Sequence, residues 1–147
     1  MPQSLVKILV HVIFSTKNRA DLIAPEIECD LYAYIHGIIE NNGAKLLIAN
    51  GTTNHSHLLI SLGRTDISEL IGDIKRASSG WIKKKGFENF YWQKGYGAFS
   101  IGQSQVPAVT RYITDQKEHH KKQSFENEFR SLCRKYQIDI DERYVWD

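Results

Sequence analysis

Ala44-Lys45-Leu46-Leu47-Ile48-Ala49-Asn50 is followed by Gly51-Thr52-Thr53-Asn54 and then by His55-Ser56-His57-Leu58-Leu59-Ile60-Ser61-Leu62. Two short apolar runs flank a turn of small and polar residues, which predicts an antiparallel β-hairpin. A helix pattern lies on each side of it. Upstream, Pro25 opens a helix at its first position, where the missing N–H is not needed. Ile27, Leu31, Tyr34, Ile35 and Ile38 follow at helical spacing, and Asn41-Asn42-Gly43 ends the run. Downstream, Asp66 and Glu69 make a capping-box pattern. Ile67, Leu70, Ile71, Ile74, Ala77 and Trp81 then mark an amphipathic helix to about Lys85.

Residues 5–14 are β-branched and apolar and read as a buried central strand. Ala98 to Ile101 reads as a short strand after an aromatic, Gly-rich loop at 86–97. The order β-α-β-β-α-β predicts an α+β fold: a ferredoxin-like (RRM-like) sandwich with a central antiparallel sheet and helices on one face. A C-terminal helical extension follows. Ser104 is placed to cap a helix over roughly 105–121. Ser124 caps the next, with Glu126 and Glu128 in its first turn and Phe125, Phe129, Leu132, Cys133 and Tyr136 on its inner face. A length of 147 residues suits one domain, here divided into a core, 1–102, and an extension, 103–147.

Charged residues at 24% and hydrophobic ones at 41% exclude a disordered or collagen-like chain. Cys29 and Cys133 make no disulfide framework. No apolar run approaches a membrane span, and the start carries no signal-peptide pattern, so a cytoplasmic protein is expected. The net charge of +2 hides segregation along the chain. Residues 20–43 carry five acidic residues and no Lys or Arg. Residues 71–95 and 111–135 carry a basic excess, the first interleaved with Trp81, Tyr91 and Trp92 and followed by Tyr96. Such interleaving suits a single-stranded nucleic acid, which offers phosphates and unstacked bases together. From charge alone, Lys83-Lys84-Lys85 reads rather as a solvated helix end, where cations complement the dipole.

His55 and His57 alternate on a predicted strand, so both side chains face the same way and can converge on one divalent ion. Two histidines that merely share a face would give the same pattern. Tyr112 and Gln116 stand at i and i+4 on the predicted 105–121 helix, and His119 and His120 continue that face one turn later. A tyrosine beside metal-binding groups makes sense as a nucleophile, because a local cation favours its phenolate. A core aromatic at 112 and a solvated histidine pair at the helix end remain alternatives.

The chain resembles the single-tyrosine HUH transposases of small insertion sequences, a group that includes the REP-associated tyrosine transposases. The resemblance is carried by Val12-Ile13-Phe14-Ser15-Thr16-Lys17-Asn18-Arg19, by Asn54-His55-Ser56-His57-Leu58-Leu59-Ile60 and by Ser78-Ser79-Gly80-Trp81-Ile82. Trp92-Gln93-Lys94-Gly95-Tyr96-Gly97-Ala98-Phe99-Ser100, the Tyr112 to His120 segment, Ser124 to Phe129 and Asp141 to Asp147 continue it over nearly the whole length.

The resemblance implies that His55 and His57 hold one Mg²⁺ or Mn²⁺, that Gln116 completes the metal site, and that His119 or His120 can supplement it. It implies that Tyr112 attacks a DNA phosphate to leave a 5′-phosphotyrosine and a free 3′-OH. It further implies a substrate of single-stranded hairpin DNA, no need for ATP, and a homodimer in which the tyrosine helix can complete the partner's site. Gly102-Gln103-Ser104 would be the hinge for that exchange. Lys17, Arg19, Lys75, Arg76, Lys83, Lys84 and Lys94 are then the candidate DNA contacts. One departure is Ser56, where the family carries a bulky hydrophobic residue. Its side chain points away from the histidines and should loosen the packing behind them.

Three other readings compete. A two-histidine phosphoesterase needs a second His-x-Ser/Thr, which neither His11-Val12-Ile13 nor His36-Gly37-Ile38 supplies. An RNA-binding module wants exposed aromatics on the central strands, where this chain has Leu, Val, Ile and His apart from Phe14. A domesticated or inactive transposase would keep hairpin binding without strand transfer.

Overall fold

The computed structural model describes residues 3–147. Four strands form one antiparallel sheet in the order β2-β3-β1-β4. They are β1 (Leu9–Ser15), β2 (Lys45–Gly51), β3 (His55–Ser61) and β4 (Gly97–Ile101). Helices α1 (Pro25–Asn41) and α2 (Ile67–Lys84) connect them. This is the ferredoxin-like α+β topology. The first strand begins at Leu9 rather than at residue 5. Leu5, Val6 and Ile8 are exposed, because no neighbouring strand covers them.

β1 and β3 lie in the middle of the sheet, and period-2 alternation sorts their side chains to two faces. Val10, Val12 and Phe14 of β1 and Leu58 and Ile60 of β3 face α1 and α2, where Leu31, Ile35, Ile39, Leu70, Ile71 and Ile74 complete the main core. Leu9, His11 and Ile13 face the other way, as do His55, His57 and Leu59. That second face is covered by the C-terminal helices, which is why all seven residues of β1 are buried. Asp66 caps α2 by accepting from the Glu69 backbone N–H at 3.0 Å. The β2–β3 turn requires glycine at 51, since a Cβ there would collide with the His55 carbonyl and approach the Tyr32 hydroxyl.

The aromatic loop after α2 folds inward. Phe90 is buried, and Trp92 packs edge-on against Phe14 and Phe90 while its Nε1–H donates to Ser78 Oγ at 2.9 Å. Trp81 stacks on Tyr34, and the Tyr96 hydroxyl meets Ser68 Oγ at 2.8 Å. Of the four aromatics expected beside the basic segment, only Tyr91 is exposed.

The single helix expected over 105–121 is instead broken. A 3-10 turn, Gln103–Gln105, leads into α3 (Val106–Thr114), and α4 (Gln116–His119) follows after Asp115. Ser104 lies inside that turn and caps nothing. The break has a physical cause: the Asn50 amide on β2 donates to the carbonyls of both Ile113 and Thr114 at 3.0 Å, ending the helical ladder there. Lys117 ties α4 to the same region through Glu28, Asn50 Oδ1 and the Gly51 carbonyl. The last helix, α5 (Phe125–Lys135), is capped by Ser124 through the Asn127 N–H, as its sequence predicts.

Leu58 on β3 is fully buried between strand and helices. Leu58→Ala should therefore lower unfolding stability by about 2–5 kcal/mol, whereas exposed Leu5→Ala should stay within about 0.5 kcal/mol. Urea unfolding of the two variants checks this; equal midpoints would contradict the assigned strand faces.

Candidate functional site

His55 and His57 sit side by side on β3 with ring centroids 5.1 Å apart, both fully buried. Opposite them, α5 delivers the carboxylate of Glu128, itself 1% exposed. Its Oε1 lies 3.0 Å from His57 Nε2, 3.0 Å from His120 Nε2 and 3.5 Å from His55 Nε2. Its Oε2 accepts from the Tyr112 hydroxyl and, at 2.9 Å, from Gln116 Nε2. Gln116 also places Oε1 3.0 Å from His55 Nε2. The broken 105–121 segment makes this convergence: α3 carries Tyr112, and the turn at Asp115 brings buried Gln116 over His55.

Burial and charge set the protonation states. His11 and His55 are pushed down to about 3, first by burial and then by the neighbouring His57. His57 is lowered mainly by burial as well. Burial alone would raise Glu128, but hydrogen bonds from His120, His57 and Tyr112 outweigh it and hold the carboxyl well below its usual range. Tyr112 is pushed up by burial and by the Glu128 charge. The centre is thus one carboxylate that receives hydrogen bonds from His57, His120, Tyr112 and Gln116, and no buried polar side-chain atom among the described residues lacks a partner.

A second layer of contacts orients the imidazoles. His11 Nε2 lies 2.7 Å from His57 Nδ1, and the rings stack at 5.0 Å. Asn54 Oδ1, an acceptor only, lies 2.8 Å from His55 Nδ1. A cation on the Nε2 atoms would displace the protons that face Glu128 and Gln116; His55 would then keep its proton on Nδ1 toward Asn54 Oδ1, and His57 on Nδ1 toward His11. Ser56 points to the opposite face, as expected, but does not leave a loose space. It is buried, and its hydroxyl meets Tyr32 Oη of α1 at 2.9 Å.

The ligand atoms of His55, His57, His120 and Glu128 all lie within 4.8 Å of one another. Three imidazoles and a carboxylate whose ligand atoms converge in this way can hold a metal ion. Of the histidine pair at the end of the predicted helix, His120 joins this group, while His119 packs against the Tyr112 ring at 4.8 Å. Gln116 adjoins the group through His55 and Glu128. Two residues were not singled out from sequence. Its sequence context marks Glu128 only as a first-turn acid, although its place three residues after Phe125 and four before Leu132 puts it on the inner face of α5. His11 carried no motif.

The basic residues fall into different roles. Lys17 and Lys83 flank exposed Tyr91, with Nζ 5.7 and 4.0 Å from its ring centroid. Lys84 and Lys94 are exposed. Lys75 is taken up by the fold, donating to the carbonyls of Gln93 and Gly95, and partial burial lowers it to about 8. Arg19 donates to the Trp146 carbonyl, and Arg76 pairs with Asp73.

Fold and centre together define a class: ferredoxin-like α+β proteins that enclose a histidine–carboxylate centre between the sheet and C-terminal helices. The family model described as "Transposase IS200 like" matches residues 4–116, and the chain belongs to that family. Among solved structures it is similar to a candidate transposase from Deinococcus radiodurans R1, with 21% identity, a TM-score of 0.60, and coverage of 77% of this chain and 93% of that one. It is also similar to a REP-associated tyrosine transposase bound to a REP hairpin, with 17% identity, a TM-score of 0.61, and coverage of 80% and 72%. At these identities the likeness shows the shared fold. No curated protein matches the chain. Among the described residues, no helix is long and apolar enough to cross a membrane.

The buried histidines make stability pH-dependent in a stated direction. In the folded chain His11 and His55 stay neutral to about 3, whereas unfolded they protonate near the ordinary 6.5. A folded value below the unfolded one means that stability is lost as pH falls through that window; depressed Glu128 acts in the same direction at lower pH. Metal-free protein should lose on the order of 3 kcal/mol between about pH 7.5 and 5.5, read from urea midpoints. A flat profile would contradict neutral burial.

Proposed function

We propose that this chain cuts and rejoins single-stranded DNA with Tyr112 as nucleophile. The observation that carries the reading is that the Tyr112 hydroxyl and the histidine pair share one carboxylate, Glu128, within a single chain. The hydroxyl is a weak nucleophile as it stands, because burial and the adjacent negative charge keep it protonated. Glu128 Oε2 already accepts its hydrogen and orients the oxygen, and the proton passes to solvent as the phenolic oxygen forms its bond to phosphorus. The P–O3′ bond breaks, and the departing 3′ oxygen takes a proton from solvent. The products are a 5′-phosphotyrosine and a free 3′-OH. Attack of a 3′-OH on the phosphotyrosine reverses the step and returns the proton to Tyr112.

His55, His57, His120 and Glu128 would hold the divalent cation, with Gln116 beside them. When bound, such an ion polarises the phosphoryl oxygen and steadies developing charge. Between Mg²⁺ and Mn²⁺, the three imidazoles favour Mn²⁺, since Mg²⁺ prefers oxygen donors. The substrate in this reading is a hairpin-bearing single strand met in the cytoplasm. Lys17, Lys83, Lys84 and Lys94 are its contacts, with Tyr91 available for stacking. Tyr112 acts on the site of its own chain, so a homodimer would not need to exchange the tyrosine helix.

Incubation with Mn²⁺ and hairpin oligonucleotides from the DNA flanking the gene should give a covalent protein–DNA adduct on a denaturing gel. Tyr112→Phe should abolish it while DNA binding persists; an adduct surviving in that variant would remove Tyr112 as nucleophile. Mixing Tyr112→Phe with His57→Ala protein addresses the arrangement of the site. Action in cis predicts that the mixture stays inactive, and restored cleavage would show that the helix is exchanged.

A further inference from the structure

A cleft of about 430 Å³ lies between α3 and α5 beside the nucleophile candidate, within the size range of small-ligand sites. Tyr112 and Glu128 line its buried end. Leu132 and Tyr136 give it apolar walls, and Tyr136 is backed by Phe99 in a stack of 4.9 Å. Lys135 and Gln123 stand at its exposed end. Neither side chain has an ion-pair or hydrogen-bond partner among the described residues, and Lys135 Nζ lies 5.9 Å from the Tyr136 ring centroid.

These groups match three parts of one ligand. Leu132 and Tyr136 suit the flat apolar face of a base, the Gln123 amide suits its polar edge, and Lys135 suits a phosphodiester. An apolar ligand would make no use of the lysine and glutamine, and a free phosphate would leave the apolar walls unused. We propose that this cleft is a nucleotide-binding subsite: it seats one nucleotide of the single strand next to the phosphate under attack. The inference rests on the strand-transfer reading, which places the scissile phosphate at Tyr112. It adds the positioning element which that reading lacks. Holding the neighbouring nucleotide fixes the phosphorus against the tyrosine oxygen, and converts loose binding along a basic surface into a defined cleavage position.

The test uses the full chain and random-sequence single-stranded DNA carrying one bromodeoxyuridine, photocrosslinked and mapped by mass spectrometry. Crosslinks should fall on 131–136 or 105–112. Ala108→Trp, which fills the cleft from an exposed position on α3, should lower their yield roughly tenfold, the order of one lost base stack. Lys135→Glu, at the exposed end, should do the same, so the test survives if one variant folds poorly by circular dichroism. Crosslinks confined to other surfaces, or unchanged yields in both folded variants, would overturn the subsite. Tyrosyl adducts are scored separately, with Mn²⁺ and the hairpin oligonucleotides from the DNA flanking the gene. Cleft crosslinks without any adduct would keep the subsite and sink strand transfer, whereas adducts with variant-insensitive crosslinks would do the reverse.

Discussion

The structure turns on one buried carboxylate. Glu128 loses its hydration on folding, and an unpaired charge at that depth would be strongly unfavourable. It persists because His57, His120, Tyr112 and Gln116 all place donors on its two oxygens. Those donors come from β3, α3, the segment around α4 and, through Glu128 itself, α5. A single acceptor therefore ties the C-terminal helices to the sheet and sets the relative positions of the chemically useful groups. Removing it would leave several buried donors without partners, which penalises the whole layer rather than one contact.

The two faces of the sheet answer different demands. The face toward α1 and α2 is filled by aliphatic side chains and carries most of the packing. The opposite face divides into two smaller apolar clusters, around Ile113 and around Phe99, Phe125 and Cys133. The polar centre lies between them. This separation keeps the histidines in a dry, structured setting without weakening the main core. Ser56 shows how tightly the faces are coupled: its neighbours on β3 are the two histidines, yet its own hydroxyl is bound to Tyr32 on the other side.

Most of the fold was legible along the chain. Helix periodicity, Pro25, the Asp66 cap and the hairpin turn are local signals, and each element they predict is present. The uninterrupted helix over 105–121 was not, because its propensity pattern is sound and the break comes from Asn50, about 60 residues away in sequence. Aromatic loop residues were misplaced for a related reason. Trp92 looks like a base-stacking group in isolation, and only the packing against Phe14 and Phe90 makes it core.

His55, His57, Tyr112 and Gln116 could be singled out because spacing and resemblance both mark them. Glu128 and His11 could not, since a first-turn acid and a lone strand histidine have ordinary local explanations. What the sequence determined by itself is the ferredoxin-like order of elements and the strand period that puts two histidines on one face. Those are properties of backbone geometry and nearest neighbours. What only the tertiary structure decided is which carboxylate and which third histidine meet that pair, and that the Tyr112 hydroxyl meets the same carboxylate. Such choices depend on contacts between elements far apart in sequence, where no local propensity acts.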